Sequence, residues 1–210
     1  MSNDAPEAGR GRPKDESKRQ AILDAARQLF LAQPYDRVSV DAIASEAGVS
    51  KVTVYSHFAG GKQEVFVSAM SAKAAEIFSA AALAVETGQG LEATLARLAC
   101  DFTLMVTDDE VGAMQAVLMA EGQRDPTLPQ AFFDMVIRRW TVVLAALLER
   151  EAQRGAIVCK DTDVAAQQFL AMAQGNFKYR QMMGLKKPQL EEVETYTKSC
   201  ATLFLRALRP

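Results

Sequence analysis

Residues that carry chemistry are scarce in this chain of 210 residues, which has one histidine, three cysteines, one tryptophan and only 7% aromatics. A lone His57 leaves no His-rich metal site. There is also no helical HExxH, no GxSxG turn and no glycine-rich phosphate loop ending in lysine, so no catalytic constellation is in view. Cys100, Cys159 and Cys200 are odd in number, far apart and without a CxxC spacing. That argues against a disulfide framework or a zinc knuckle and for reduced, partly buried thiols. Apolar runs such as residues 141–148 are far too short to span a bilayer, and the first twenty residues lack an apolar core. Neither a membrane span nor a signal peptide is expected, and a soluble cytoplasmic protein is the default. An excess of one charge is missing as well: 24 Lys and Arg face 26 Asp and Glu, a formal charge of -2, so bulk charge announces no nucleic-acid partner. No strand-like alternation of useful length occurs, and no repeat in the solenoid range.

What is present points to helices. Hydrophobic residues make up 49% of the chain, enough for a buried core, and Ala, Leu and Met dominate them. Residues 1–16 are rich in Gly, Pro and charge without a hydrophobic period, and read as a disordered basic arm. From Ser17, Ile22, Ala26, Leu29 and Phe30 repeat at helical spacing until Pro34 stops the helix. Ser39 is placed to cap a second helix with Asp41 in its first turn and Ile43, Ala44 and Ala47 facing inward. Gly48 supplies a left-handed turn, and Ser50 caps a third helix whose Val54 and Phe58 pack inward with Val49. After the break at residues 59–61, Lys62 opens a long helix reaching about residue 86. Further helices are expected at about residues 91–107, 110–123, 128–154, 163–183 and 189–208, separated by Asp125-Pro126, Arg154-Gly155, Met183-Gly184 and Lys187-Pro188. The expected architecture is all-α, with about nine helices. A helix-turn-helix domain covers residues 17–63, and a helical ligand-binding and dimerisation domain covers residues 64–210.

The helix-turn-helix gives the first functional expectation, because its main use is to set one helix in the major groove of DNA. Lys51 has the reach to donate to guanine O6/N7 or to phosphate, and the Thr53 methyl to meet a thymine methyl. Tyr55 and His57 suit phosphate contacts that fix register; the alternative is that they pack the corner after the third helix. Ser39, Ser50, Val52 and Ser56 complete the DNA-facing set. Lys62, beside the free amides of a helix start, suggests an anion site, with an ordinary solvated lysine as its rival. In the arm, Gly9-Arg10-Gly11-Arg12-Pro13-Lys14 is similar to an AT-hook core, and Arg10 and Arg12 would enter a narrow A·T minor groove. Basic tails are common, so the hexamer alone decides nothing.

Ile43-Ala44, Ala47-Gly48-Val49-Ser50, Tyr55-Ser56-His57-Phe58 and Lys62, in this order and register, resemble the DNA-binding domain of the TetR/AcrR family of bacterial transcriptional regulators. The resemblance covers roughly Arg19 to Met70. Ala120-Glu121, residues 129–133 and residues 164–170 are similar to one common type of TetR-family regulatory domain. Pro34 stands where the family often has glycine, and the loop before Lys62 is one residue longer. The resemblance implies an all-α homodimer joined through its last two helices as a four-helix bundle. Its partners are a double-stranded, pseudo-palindromic operator and a small, mainly apolar effector, and no cofactor or metal is expected. Two recognition helices would then sit roughly 34 Å apart, one DNA turn.

Phe102, Met105, Met119, Phe133, Trp140, Met172 and Phe177 are the bulky residues available to line an effector cavity, against the plainer reading that each is core or interface. Arg138-Arg139 would suit an anionic ligand but equally a solvated face, and no sequence neighbour of Cys159 or Cys200 points to a reactive thiol. A repressor is the leading functional reading. An enzyme lacks a catalytic set, and a helical adaptor without DNA binding is supported only by the mixed charge of the head.

Overall fold

The computed structural model describes residues 16–85 and 90–209. The basic arm carrying Arg10 and Arg12 lies outside the described residues. Within them there are eleven α-helices and no strand, in two compact units that divide between Phe66 and Val67. No described helix is long and apolar enough to cross a membrane.

The first unit holds α1 (Glu16–Ala32), a 3-10 turn (Tyr35–Arg37), α2 (Val40–Glu46), α3 (Lys51–His57) and the start of α4 (Gly61–Val85). The α1 helix stops at Ala32, as Pro34 downstream requires. Its apolar stripe buries Ile22, Leu23, Ala26 and Phe30 against Ile43, Val54, Phe58 and Phe66. Phe30 is the hub: its ring stacks on Tyr35 at 5.6 Å and meets Phe66 edge-on at 4.8 Å. The Ser39 hydroxyl accepts from the Ala42 amide at 3.1 Å, capping α2. At the turn Gly48 takes φ +65°, and the Val49 amide closes onto the Ala44 carbonyl at 3.0 Å.

The second unit continues with α5 (Leu91–Val106), α6 (Asp109–Gly122), α7 (Thr127–Phe132), a π-helical turn (Phe133–Ile137) and α8 (Arg138–Gln153). It ends with α9 (Thr162–Gln174), α10 (Phe177–Met182) and α11 (Leu190–Ala207). Helix α5 is central, packing on both α9 and α11. The buried Thr103 hydroxyl lies 2.7 Å from the Ala99 carbonyl and 3.0 Å from that of Ala173, and so ties α5 to α9.

Two helices expected as single rods are interrupted. The rod over residues 128–154 carries the π turn at Phe133–Ile137, an insertion that apolar spacing alone does not show. The rod over residues 163–183 breaks at Gly175, whose φ of 51° and ψ of -139° suit glycine alone. A Cβ there would stand 2.8 Å from the Tyr196 hydroxyl oxygen, so the turn also needs the missing side chain for space.

Candidate nucleic-acid interface

Helix α3 has one face rooted and one face free. Val54 is 0% exposed and Phe58 1%, and both sit in the core of the first unit. The Arg19 guanidinium covers the Phe58 ring at 5.2 Å, a support that apolar spacing did not suggest. On the other side Lys51, Val52, Tyr55 and Ser56 are exposed, Val52 to 77%. The start of the helix is fixed by Ser50, whose Oγ accepts from the Thr53 amide at 3.1 Å and lies 2.8 Å from Thr53 Oγ1. Ser56 Oγ donates to the Thr53 carbonyl at 2.8 Å. Ser50 and Thr53 are therefore committed to shaping the helix end, and the exposed face of the helix is Lys51, Val52, Tyr55 and Ser56.

The flanking residues are held more firmly than expected. Tyr55 packs its ring beside Gly61, where φ is +62° and a Cβ would come within 3.1 Å of Tyr55 Cε1. The His57 ring is half-buried and tilted on Phe58 at 6.4 Å, with Nδ1 buried and unpaired. This favours corner packing for at least one edge of the imidazole. Lys62 does not stand free: Nζ donates to the Tyr35 carbonyl at 3.0 Å and lies 4.0 Å over that ring. The helix start beside it was expected to offer free amides to an anion. Instead the Gly60 amide donates to the Glu64 carboxylate at 2.7 Å, so Lys62 braces α4 on the 3-10 turn and a negative charge occupies the helix start.

Lys51 has a partner that its position in the sequence did not reveal. Its Nζ donates to Asp41 Oδ2 at 2.9 Å, bridging the first turns of α2 and α3. The hydrogen bond to Asp41, then the carboxylate's charge, raises the lysine pKa above its ordinary value, so the ammonium stays charged throughout the physiological range. Both groups are well exposed, and such pairs are weak and screened by salt. Any DNA contact made by Lys51 would exchange the Asp41 carboxylate for another partner. Asp41→Asn is expected to tighten operator binding by about two- to fivefold and Lys51→Ala to weaken it by about tenfold or more. In a Lys51→Ala background, Asp41→Asn should change little. Titrations of the four proteins on one duplex check this, and additive effects would contradict it.

In the second unit the bulky residues named from sequence do not form one cluster. Phe102, Met105, Trp140 and Phe177 are buried, Met172 is half-buried, and Met119 is 60% exposed on α6. Phe102 and Phe133 border one cleft of about 480 Å3, together with Ile137, Thr141 and Leu170. Phe177 borders another, of about 1020 Å3, with Arg180 and Tyr196. Arg138 pairs with Asp134 at 3.6 Å and Arg139 lies over the Phe78 ring at 4.9 Å. Burial pushes the Cys100 and Cys200 thiols up in pKa, away from the reactive thiolate, and the Cys159 thiol donates to the Asp161 carbonyl at 3.6 Å.

Comparison with known proteins extends both halves of this description. Residues 22–69 match the N-terminal domain profile of the bacterial regulatory proteins of the tetR family. Residues 93–210, more than half of the chain, match the C-terminal domain of the AefR-like transcriptional repressors. The chain belongs to the TetR family of transcriptional regulators. Among relatives of this TetR-family regulator, it is 30% identical over 148 residues to the HTH-type transcriptional regulator YdeS of Bacillus subtilis (strain 168), covering 70% of this chain and 71% of YdeS. It is 33% identical over 107 residues to LmrA of the same organism, covering 49% of this chain and 56% of LmrA. Among solved structures, a TetR-family regulator of Mesorhizobium loti superposes with a TM-score of 0.78 at 23% identity, over 95% of this chain and all of that one. The flavonoid-responsive regulator FrrA superposes with a TM-score of 0.76 at 27% identity, over 93% of this chain and 99% of FrrA.

Proposed function

We propose that this TetR-family regulator is a homodimeric repressor that leaves its operator when a small, largely apolar effector binds the second unit, and that it has no catalytic role. The observation that carries the reading is the division of α3: an apolar root of Val54 and Phe58 and a free face of Lys51, Val52, Tyr55 and Ser56. A helix built this way presents its side chains to base edges, while Tyr55 and the braced Lys62 region set its angle. Arg10 and Arg12 would add a minor-groove arm.

Pairing of two copies is supported by the apolar residues left open along the last helices. Val164, Tyr179, Met182, Met183, Leu190 and Leu203 are all exposed in the single chain, which is the composition of a surface that is covered in an assembly. The effector reading is supported by the flavonoid response named for FrrA and by the stearoyl-CoA bound to FadR of Bacillus subtilis, whose fold this chain shares at a TM-score of 0.66. By linkage, effector and operator weaken each other's binding by the same factor. A cytoplasmic location follows from the DNA partner.

The test is a DNA shift titration on the region upstream of the chain's own coding sequence, run across a salt series. The expected result is specific binding whose log affinity falls linearly with log salt, as released counterions dictate. Light scattering of the same protein should give twice the chain mass. Absence of specific binding, or a monomer at micromolar concentration, contradicts the proposal.

A further inference from the structure

Among the described residues, the second unit buries one side-chain donor without a partner. Trp140 is 2% exposed, and its indole Nε1 is covered without a hydrogen-bond partner. Buried donors are almost always paired, and each exception in a native structure has a cause, such as a functional role or an acceptor from outside the chain. Trp140 stands between two aromatic walls. Phe78 meets it edge-on at 5.3 Å and Phe102 at 5.4 Å.

Phe102 faces two ways. It packs on Trp140, and it also borders the cleft of about 480 Å3 shared by α5, the π turn, α8 and α9. That volume falls within the usual range for small-molecule sites. The cleft wall includes the apolar Phe102, Phe133, Ile137 and Leu170, with Arg138, Asp163 and Gln167 among its polar members. Two of these residues, Phe133 and Ile137, belong to the π turn, the one interruption in an otherwise continuous rod. Single π turns inside α-helices are frequent at functional sites, where the extra residue re-aims the side chains beside it. Trp140 lies three residues beyond that turn. An orphaned indole, an aromatic wall that separates it from a cleft, and a helix distortion at the cleft therefore coincide in one region.

We propose that this cleft takes a planar aromatic effector bearing a carbonyl oxygen, and that Trp140 Nε1 donates to that oxygen once Phe102 turns aside. The aromatic faces select a flat ring system and the indole selects an acceptor. A ligand oxygen would supply the acceptor that no described residue offers Nε1, so ligand binding favours the state with Phe102 displaced. This rests on the reading of the chain as an effector-responsive regulator and names the chemistry that the effector must have.

Fluorenone and fluorene test the contact, being flat and matched except that a carbonyl in one replaces a methylene in the other. Trp140 is the only tryptophan, so the full-length protein labelled with nitrogen-15 shows a single indole N–H resonance. Fluorenone is expected to bind about tenfold more tightly than fluorene and to move that resonance downfield, while fluorene does not. Trp140→Phe should bind the two probes alike. Equal affinity of the unaltered protein for both probes, an unmoved indole resonance on fluorenone binding, or no binding of either overturns the proposal. The spectra of the unaltered protein decide even if the variant fails to fold. DNA affinity measured with and without fluorenone separates the two claims: an indole shift with no loss of DNA affinity supports the contact and removes only its use as the switch.

Discussion

Val54→Asp is expected to abolish operator binding while the second unit stays folded. Val54 has no solvent exposure and anchors a helix of only seven residues, Lys51–His57. A helix this short has no stability of its own in water and holds its shape only through packing and caps. The Ser50 cap contributes about 1 kcal/mol. An unpaired carboxylate in the core of the first unit costs about 3–5 kcal/mol, so the cap cannot keep α3 in place against it. Loss of α3 removes the reading face whole, and affinity for the operator should fall by at least about a hundredfold. Because the chain forms two compact units, far-ultraviolet circular dichroism should lose only a minor part of its helical signal. Binding within a few-fold of the unaltered protein would contradict the assignment of Val54 as the root of the recognition helix.

The second large effect is expected at Gly175→Ala. The backbone there lies close to a region reserved for glycine, which costs a side-chain-bearing residue on the order of 1–3 kcal/mol. The added methyl also arrives 2.8 Å from the Tyr196 hydroxyl oxygen, which donates to the Met172 carbonyl at 3.1 Å and so pins α11 to α9. Relief of the contact requires breaking that hydrogen bond, about 1 kcal/mol more. Thermal unfolding of the second unit should move down by roughly 6–12 °C. Tyr196→Phe already forfeits the hydrogen bond to Met172 while its ring still meets the methyl, so the double variant loses that bond only once and should lose less than the sum of the two single losses. A Tm within about 2 °C of the unaltered protein for Gly175→Ala would contradict the geometry.

The legibility of these features in the sequence follows how local they are. Ser39 and Ser50 as caps, Gly48 as the left-handed turn, Pro34 as a stop and Val54 with Phe58 as inward residues all depend on a few neighbouring positions. Those were readable, and with them the all-α class and the family. The Asp41–Lys51 pair was not, although both charges were noted, because the angle across the Gly48 turn decides whether two first turns face each other. The same holds for Lys62, where the presence of Tyr35 beneath the ammonium depends on how the 3-10 turn folds back. The break at Gly175 and the π turn at Phe133–Ile137 escaped because apolar residues continue at helical spacing through both. Bulk alone could not sort the effector candidates. Met119 and Trp140 are equally bulky readings of the sequence, yet one faces solvent and the other carries an unpaired donor in the core.

The most direct test of the central claim is a photocrosslink from position 52 to operator DNA. Val52 is 77% exposed on α3, so a photoactivatable residue there should disturb neither root nor cap. The expected result is crosslinking to bases at two symmetric major-groove positions, roughly 34 Å apart along the duplex. Bound DNA with no crosslink from position 52, or with a single site per complex, would contradict a paired recognition helix lying in the groove.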